Sequence, residues 1–217
     1  MKDFELSPAP KLATYHAVGD LKPILLAFLQ LDTRLAQFVS QAKEPMLTQM
    51  RIAWWRDQLG KPAPERPNGD PVLDSLSKHW LGEETALIAM VNGWEGLLAE
   101  PPLPISAALE FAEGRGKCFA AMARLTACGE AADASQALGE AWALADLAAR
   151  MSSAEEREFV VEAARKRPNV ITPVPYKLRA LTILGKLGGR ALQDDGRPLI
   201  RDRKDLLLVT RVGLFGR

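Results

Sequence analysis

Asp32 is the acidic residue of this chain whose position is most unusual for a carboxylate. On a helical projection it falls inside an apolar stripe, between Leu21 and Leu25. A carboxylate among apolar side chains needs a basic partner, and Arg51 or Arg56 of the following helical stretch is the candidate. Asp32, Arg51 and Arg56 are therefore predicted to line a cavity between helices, in either a functional or a structural role.

Asp146 is the fourth candidate cavity residue, and Arg150 follows it by four positions. Residues four apart share one helix face, so this pair is predicted to be a surface salt bridge. The chain offers two histidines and no recognised zinc spacing. We therefore assign no catalytic residue and predict no metal site.

A phosphate-binding loop is excluded by the spacing around Gly116 and Lys117. Such a loop needs a glycine at position 111, and Phe111 stands there. The glycines on both sides of Arg115 are instead predicted to allow two helices to pack closely. Nucleophilic triads are also poorly supported, because neither histidine has a fitting serine or cysteine context.

Composition favours one globular domain over residues 1–217. The chain is 47% apolar and 25% charged, with a formal net charge of +1, which argues against a nucleic-acid-binding protein. Charged residues interrupt every apolar stretch before it reaches membrane-spanning length, and no apolar signal core follows Met1. We expect a cytoplasmic protein, or one that is peripheral to a membrane.

The apolar residues recur at helical spacing throughout, which predicts an all-α fold. Proline-marked breaks separate nine predicted helices, and residues 1–19 are treated as an N-terminal extension. The predicted helices cover residues 21–39, 45–59, 71–79, 83–100, a long stretch after Pro104 through Leu125, 133–150, 154–166, 176–187 and 202–214. Residues 61–71 and 168–175 are predicted loops.

Four tryptophans, Trp54, Trp55, Trp94 and Trp142, sit within apolar helical patterns and are predicted to pack in the core. At least one of Trp54 and Trp55 is expected to be buried between the first two helices, with Arg56 nearer the surface.

Several segments resemble the squalene/phytoene synthase family. The most specific is Arg-x-x-Trp-Trp-Arg-x-x-Leu at residues 51–59, preceded by Leu-Leu-Ala-Phe at 25–28. Residues 71–76, 111–116 and 138–144 are similar to later helices of that family. The resemblance spans about residues 20–150, and it implies a single-domain helical bundle of the isoprenoid synthase type.

In that family, two facing helices carry paired aspartates that hold Mg²⁺ against a prenyl diphosphate during terpenoid biosynthesis. Carboxylates at helical spacing share one face, and Mg²⁺ prefers oxygen ligands. The resemblance places the first aspartate motif on residues 33–37, which contain no carboxylate, and Asp32 is rotated by about 100° from it. In the second motif, Asp146 stands where the family has Asn and Arg150 where it has Asp.

Because the aspartates of both family motifs are missing here, two functions are considered. One is a non-catalytic member, a pseudoenzyme that binds a partner protein or an isoprenoid or other lipid. The branch that includes a respiratory complex I assembly factor is of this kind, and no cofactor is expected for it. The alternative is an active prenyl-diphosphate transferase with relocated ligands, which would need Mg²⁺. The emptied motifs favour the first.

The carboxyl-terminal part of the chain is basic. Residues 165–217 contain 13 Lys or Arg against 4 Asp or Glu, a local charge of +9. Residues 201–217 combine basic and apolar side chains in one predicted helix. This helix either packs its apolar residues on the core or contacts an anionic membrane surface.

Overall fold

The computed structural model describes residues 5–42, 44–167 and 174–216. Helices make up 76% of it and pack into a single bundle, and the described residues contain no strand, so the all-α prediction is confirmed. The α-helices of the described residues are α1 (Pro8–His16), α2 (Leu21–Ser40), α3 (Pro45–Leu59), α4 (Pro71–His79), α5 (Glu84–Gly96), α6 (Ile105–Leu125), α7 (Ala132–Arg150), α8 (Ala154–Arg165), α9 (Arg179–Gln193) and α10 (Arg203–Phe215).

Local signals at the helix starts explain why most predicted boundaries agree with the structure. Pro45 and Pro71 occupy first-turn positions, where the missing N–H has no partner to lose. The Asp70 carboxylate accepts hydrogen bonds from the N–H groups of Val72 and Leu73 at 2.9 and 3.1 Å. Asp20 also precedes a helix, but its side chain makes no capping hydrogen bond.

Two helices end at residues other than those predicted. α5 stops at Gly96 rather than near residue 100, and the N–H groups of Leu97, Leu98 and Ala99 instead donate to carbonyl groups three residues earlier, as in a 3₁₀ turn. α9 continues to Gln193 instead of ending near 187. The predicted loop 168–175 lies mostly outside the described residues.

The stretch predicted only as an N-terminal extension contains α1, which packs on α9 and α2. Ala9 and Ala13 are buried in these contacts. His16 is the last residue of α1, and an added Cβ at Gly213 of α10 would overlap its ring. The amino-terminal segment is thus part of the bundle surface that receives α10.

The central helices α5, α6, α7 and α9 pack in that order, each against the next. Close approach depends on glycine, as predicted for the segment around Arg115. A Cβ added at Gly114 would lie 2.5 Å from the Ala89 carbonyl oxygen of α5, and one at Gly116 would lie 2.9 Å from the Gln136 carbonyl oxygen of α7. Both glycines are therefore required by the packing.

Aromatic rings fill the space between these helices. Phe28 of α2 packs against Trp80, Phe119 and Trp142, with ring centroids 6.0 to 6.2 Å apart. Trp55 is 2% exposed, which confirms the predicted burial of one residue of the tryptophan pair. The core prediction was wrong for Trp54, which is 39% exposed. None of the helices described by the structure is long and apolar enough to cross a membrane.

Candidate functional site

Arg115 lies at the centre of a buried cluster of charges that joins three helices. Its Nε and Nη2 atoms donate to the two carboxylate oxygens of Asp32 on α2, at 2.8 and 2.7 Å. Its Nη1 atom donates to Asp146 on α7 at 2.9 Å. The side chain of Arg115 is 1% exposed, so these bonds are shielded from water. Bidentate pairing of this kind is the strongest geometry open to an arginine.

The neighbours of Arg115 on α6 explain how such a long side chain fits there. Gly114 and Gly116 bring α5 and α7 close to the α6 backbone, so the guanidinium reaches the space between the helices. Its Cζ atom lies 4.3 Å from the ring centroid of Trp142, 4.5 Å from that of Phe111 and 5.1 Å from that of Trp94. Aromatic faces stabilise a desolvated cation.

The charges of the cluster balance. Burial by itself lowers the pKa of Arg115, but Asp32 and Asp146 outweigh this effect and the pKa is raised, so the guanidinium stays protonated. Arg150 donates to the other oxygen of Asp146 at 3.1 Å. The Trp94 indole N–H donates to Asp32 at 2.8 Å. Two carboxylates therefore meet two guanidinium groups.

Cys118 lies one helical turn beyond Arg115 and is fully buried. Burial raises the pKa of its thiol well above the usual range, and the nearby Asp32 carboxylate adds to the effect. The Sγ atom contacts the Ala86 carbonyl oxygen at 3.2 Å. Cys118 is thus a protonated packing residue and not a nucleophile.

One prediction about these residues was wrong. Asp32 pairs with neither Arg51 nor Arg56, since Arg56 donates to Glu95 at 2.6 Å and Arg51 lies over the Phe38 ring at 6.0 Å. The physical reason is that α3 packs against α5 as well as α2, and its arginines project away from the buried face of α2.

The Asp146–Arg150 pair forms as predicted, and its Arg150 side chain is 53% exposed. The side chain of Asp146 is only 11% exposed, and its second oxygen accepts from Arg115. Sequence reasoning did not identify Arg115 as a site residue. The available signal was an arginine between two glycines, shortly before the apolar run from Cys118 to Ala123.

The cluster does not fit Mg²⁺. All four carboxylate oxygens of Asp32 and Asp146 accept hydrogen bonds from arginine or indole N–H groups. None of these oxygens is therefore free to bind a metal ion. The guanidinium of Arg115 also places a positive charge between the carboxylates. Among the residues that the structure describes, no group of three or more His, Cys, Asp or Glu is placed to hold a metal ion.

A second feature is an open groove of about 470 Å³ between α2 and α3. We call it the α2–α3 groove. It is lined by apolar and aromatic side chains together with two arginines and one aspartate. These residues are Arg34, Phe38, Leu47, Met50, Arg51, Trp54, Trp55 and Asp70.

The two arginines of the groove differ in their surroundings. Arg34 donates to Asp70 at 2.6 Å, and its Cζ lies 5.3 Å from the Trp55 ring. Burial would raise the pKa of Asp70, but the Leu73 N–H and Arg34 outweigh it and lower that pKa. Arg51 is exposed and makes no ion pair within the described parts of the chain. The groove thus combines an apolar wall with an available cation.

Comparison with protein-family models, with curated proteins and with solved structures finds no match for this chain. The similarity to squalene/phytoene synthases stays a prediction based on the motifs quoted above. Of the four predicted cavity residues, the structure brings Asp32 and Asp146 together in the interior. Arg51 lines the groove, and Arg56 does not take part in either site.

Proposed function

We propose that this chain is a non-catalytic protein of the squalene/phytoene synthase type, with the isoprenoid synthase fold. In this proposal it binds an apolar ligand that ends in a phosphate group, in the α2–α3 groove. The observation that carries the proposal is the pairing of Asp32 and Asp146 through Arg115. These are carboxylates of the two helices, α2 and α7, on which the resemblance places the metal-binding motifs.

The non-catalytic part follows from the cost of opening this cluster. A metal ion could use Asp32 or Asp146 only after displacing Arg115, which would leave a buried guanidinium without a partner. Breaking a buried pair in this way costs roughly 3–5 kcal/mol. The rings of Phe28, Phe119 and Trp142 also occupy the space beside the cluster. Ionisation of a prenyl diphosphate is therefore not expected there.

The binding part rests on the composition of the groove. Phe38, Met50 and Trp54 provide a surface for a hydrocarbon chain, and the volume falls in the range of small-molecule sites. Arginine binds phosphate directly through paired N–H groups and needs no metal ion. Arg34 lies within residues 33–37, where the resemblance places the first aspartate motif. Arg34 is already paired with Asp70. The phosphate that the family binds through carboxylate-bound Mg²⁺ would therefore be held by Arg51, which makes no ion pair among the described residues.

An activity assay tests the non-catalytic part against the active-transferase alternative. The purified protein is incubated with Mg²⁺ and either farnesyl or geranylgeranyl diphosphate, and released pyrophosphate is measured. We expect no release above the protein-free control. Release that requires both the protein and Mg²⁺ would show that metal ligands have been relocated.

A fluorescence titration tests the groove, because Trp54 is partly exposed on its wall. Farnesyl diphosphate is added in the presence of EDTA, with farnesol and inorganic pyrophosphate as partial ligands. Lysophosphatidic acid distinguishes an acyl lipid from an isoprenoid. We expect saturable binding of at least one phosphate-bearing chain, and binding about tenfold weaker for each partial ligand.

Arg51→Gln provides the decisive variant and Arg56→Gln its matched control on the same helix. Loss of a charge-assisted hydrogen bond should weaken binding about tenfold in Arg51→Gln and leave it unchanged in Arg56→Gln. If both variants bound the ligand with equal affinity, the α2–α3 groove would not be the binding site. If no amphiphile binds, the lipid assignment is wrong and a partner protein is the remaining occupant.

A further inference from the structure

The last helix, α10, has one face that is fixed to the bundle. Asp205, Val209, Val212 and Gly213 are buried on this face. The Tyr176 hydroxyl donates to the Gly213 carbonyl at 3.1 Å, and Gly213 lies directly against His16. These contacts fix both halves of α10 to the rest of the bundle.

The start of α10 is held by the fully buried Asp205 carboxylate. Arg197 donates to it twice, at 2.9 and 2.8 Å, and the Arg201 N–H donates at 2.9 Å. Burial alone would raise the pKa of Asp205, but these hydrogen bonds outweigh it and lower the pKa to about 2. The carboxylate is therefore ionised at neutral pH and directed inward, away from the outer face.

The outer face of α10 is apolar at its centre and basic at its edges. Leu207 and Leu214 are 68% and 60% exposed, and Phe215 is 68% exposed. Leu207 and Leu214 are seven residues apart, so they share one face and stand about 10 Å apart. Arg203 and Arg211, four residues on either side of Leu207, share that face.

The cations beside these leucines are available for an external partner. Lys204 lies on the edge of the same face and is exposed like the two arginines. Arg203, Lys204 and Arg211 make no ion pair within residues that the structure describes, in contrast to Arg197 and Arg201. The one acidic residue within α10, Asp205, points inward. The predicted packing of this helix on the core is therefore confirmed for its inner face. The predicted contact with an anionic membrane concerns its outer face.

We propose that α10 docks this protein on the surface of an anionic lipid bilayer. Leu207, Leu214 and Phe215 enter the headgroup region, and Arg203 and Arg211 contact lipid phosphates. An outer face with apolar residues at its centre and cations at its edges is complementary to a bilayer, which offers hydrocarbon beneath a layer of negative charge. This inference is independent of the ligand proposed for the α2–α3 groove.

Vesicle co-sedimentation tests the proposal with the whole 217-residue chain. The probes are vesicles of phosphatidylcholine alone and vesicles that also contain phosphatidylserine. We expect binding only to the anionic vesicles, and weaker binding as salt screens the attraction. No binding to anionic vesicles at low salt, or equal binding to both kinds, overturns the proposal.

Two double variants separate the contributions of charge and of apolar contact. Arg203→Gln with Arg211→Gln should weaken vesicle binding about 25-fold, since each cation near an anionic surface contributes about fivefold, or roughly 1 kcal/mol. Leu207→Gln with Leu214→Gln should weaken it roughly tenfold or more. Phe159→Gln, at an exposed apolar residue of α8, is the matched control and should bind like wild type.

Unfolding curves of all variants should agree with wild type, because the altered side chains lie on the exposed face. Variants that are folded and still bind anionic vesicles like wild type would contradict the proposal. The farnesyl diphosphate titration should be unchanged in the α10 variants. Failure of either proposal can therefore be distinguished from failure of the other.

Discussion

Arg115 and Arg51 are two arginines with opposite surroundings, and the contrast separates structural from binding roles in this molecule. Arg115 is buried, and its guanidinium is shared between Asp32 and Asp146. Arg51 is exposed beside Phe38 and Trp54 and forms no ion pair with a residue that the structure describes. A fully paired arginine stabilises the fold, whereas an exposed one beside an apolar wall is available to a ligand.

The largest expected effect is that of removing the buried guanidinium. Arg115→Met leaves two carboxylates buried without their shared partner, so the free energy of unfolding should fall by about 3–5 kcal/mol. Arg51→Met should change it by less than about 0.5 kcal/mol. Denaturant unfolding followed by circular dichroism measures both. Similar losses in the two variants would invalidate the distinction drawn between these arginines.

Adding Asp32→Asn and Asp146→Asn to Arg115→Met sharpens the same comparison. Neutral amides in place of the carboxylates remove the unpaired buried charges, so the triple variant should recover part of the stability that Arg115→Met loses. A triple variant less stable than Arg115→Met alone would show that the carboxylates have stabilising partners other than Arg115.

The adjacent tryptophans give the next effect, because both line the groove but Trp55 is buried and Trp54 is 39% exposed. Trp55→Ala should lower the free energy of unfolding by about 3 kcal/mol. Trp54→Ala should lower it by less than about 1 kcal/mol, since its ring is already partly in water. Thermal melts of the two variants make the measurement. If Trp54→Ala lowered the free energy of unfolding more than Trp55→Ala, the assignment of Trp55 as the core residue would be wrong.

Asp205 gives the smallest effect and extends the comparison to pH. Its folded pKa of about 2 lies below the ordinary value of 3.8, so its stabilisation is complete above about pH 4 and is lost as pH falls towards 2. Asp205→Asn should cost about 2 kcal/mol at pH 7, with a smaller difference from wild type at lower pH. The exposed Asp195→Asn is the control and should follow wild type. A pH-independent difference would contradict the ionic explanation.

Helix positions were largely predictable from sequence because their signals are local. Prolines at first-turn positions and the capping carboxylate of Asp70 act within three residues, and three-to-four spacing identifies each buried stripe. The ends of α9 were not predictable in this way. Gly185 and Gly188 are ordinarily unfavourable in helices, but they let α9 pack against Leu138 and Trp142 of α7. That contact connects residues about fifty positions apart.

For the buried charge cluster, too, the features of a single helix were predictable and the contacts between distant helices were not. The sequence by itself determined that Asp32 is buried and needs a cation, because its position in an apolar stripe is a property of one helix. Only the tertiary structure decided that the cation is Arg115, 83 residues away. The reason is physical: helical periodicity specifies which face of a helix is buried, but the partner of that face depends on how closely separate helices approach. Here that approach depends on Gly114 and Gly116, and it leaves Arg51 and Arg56 outside the interior.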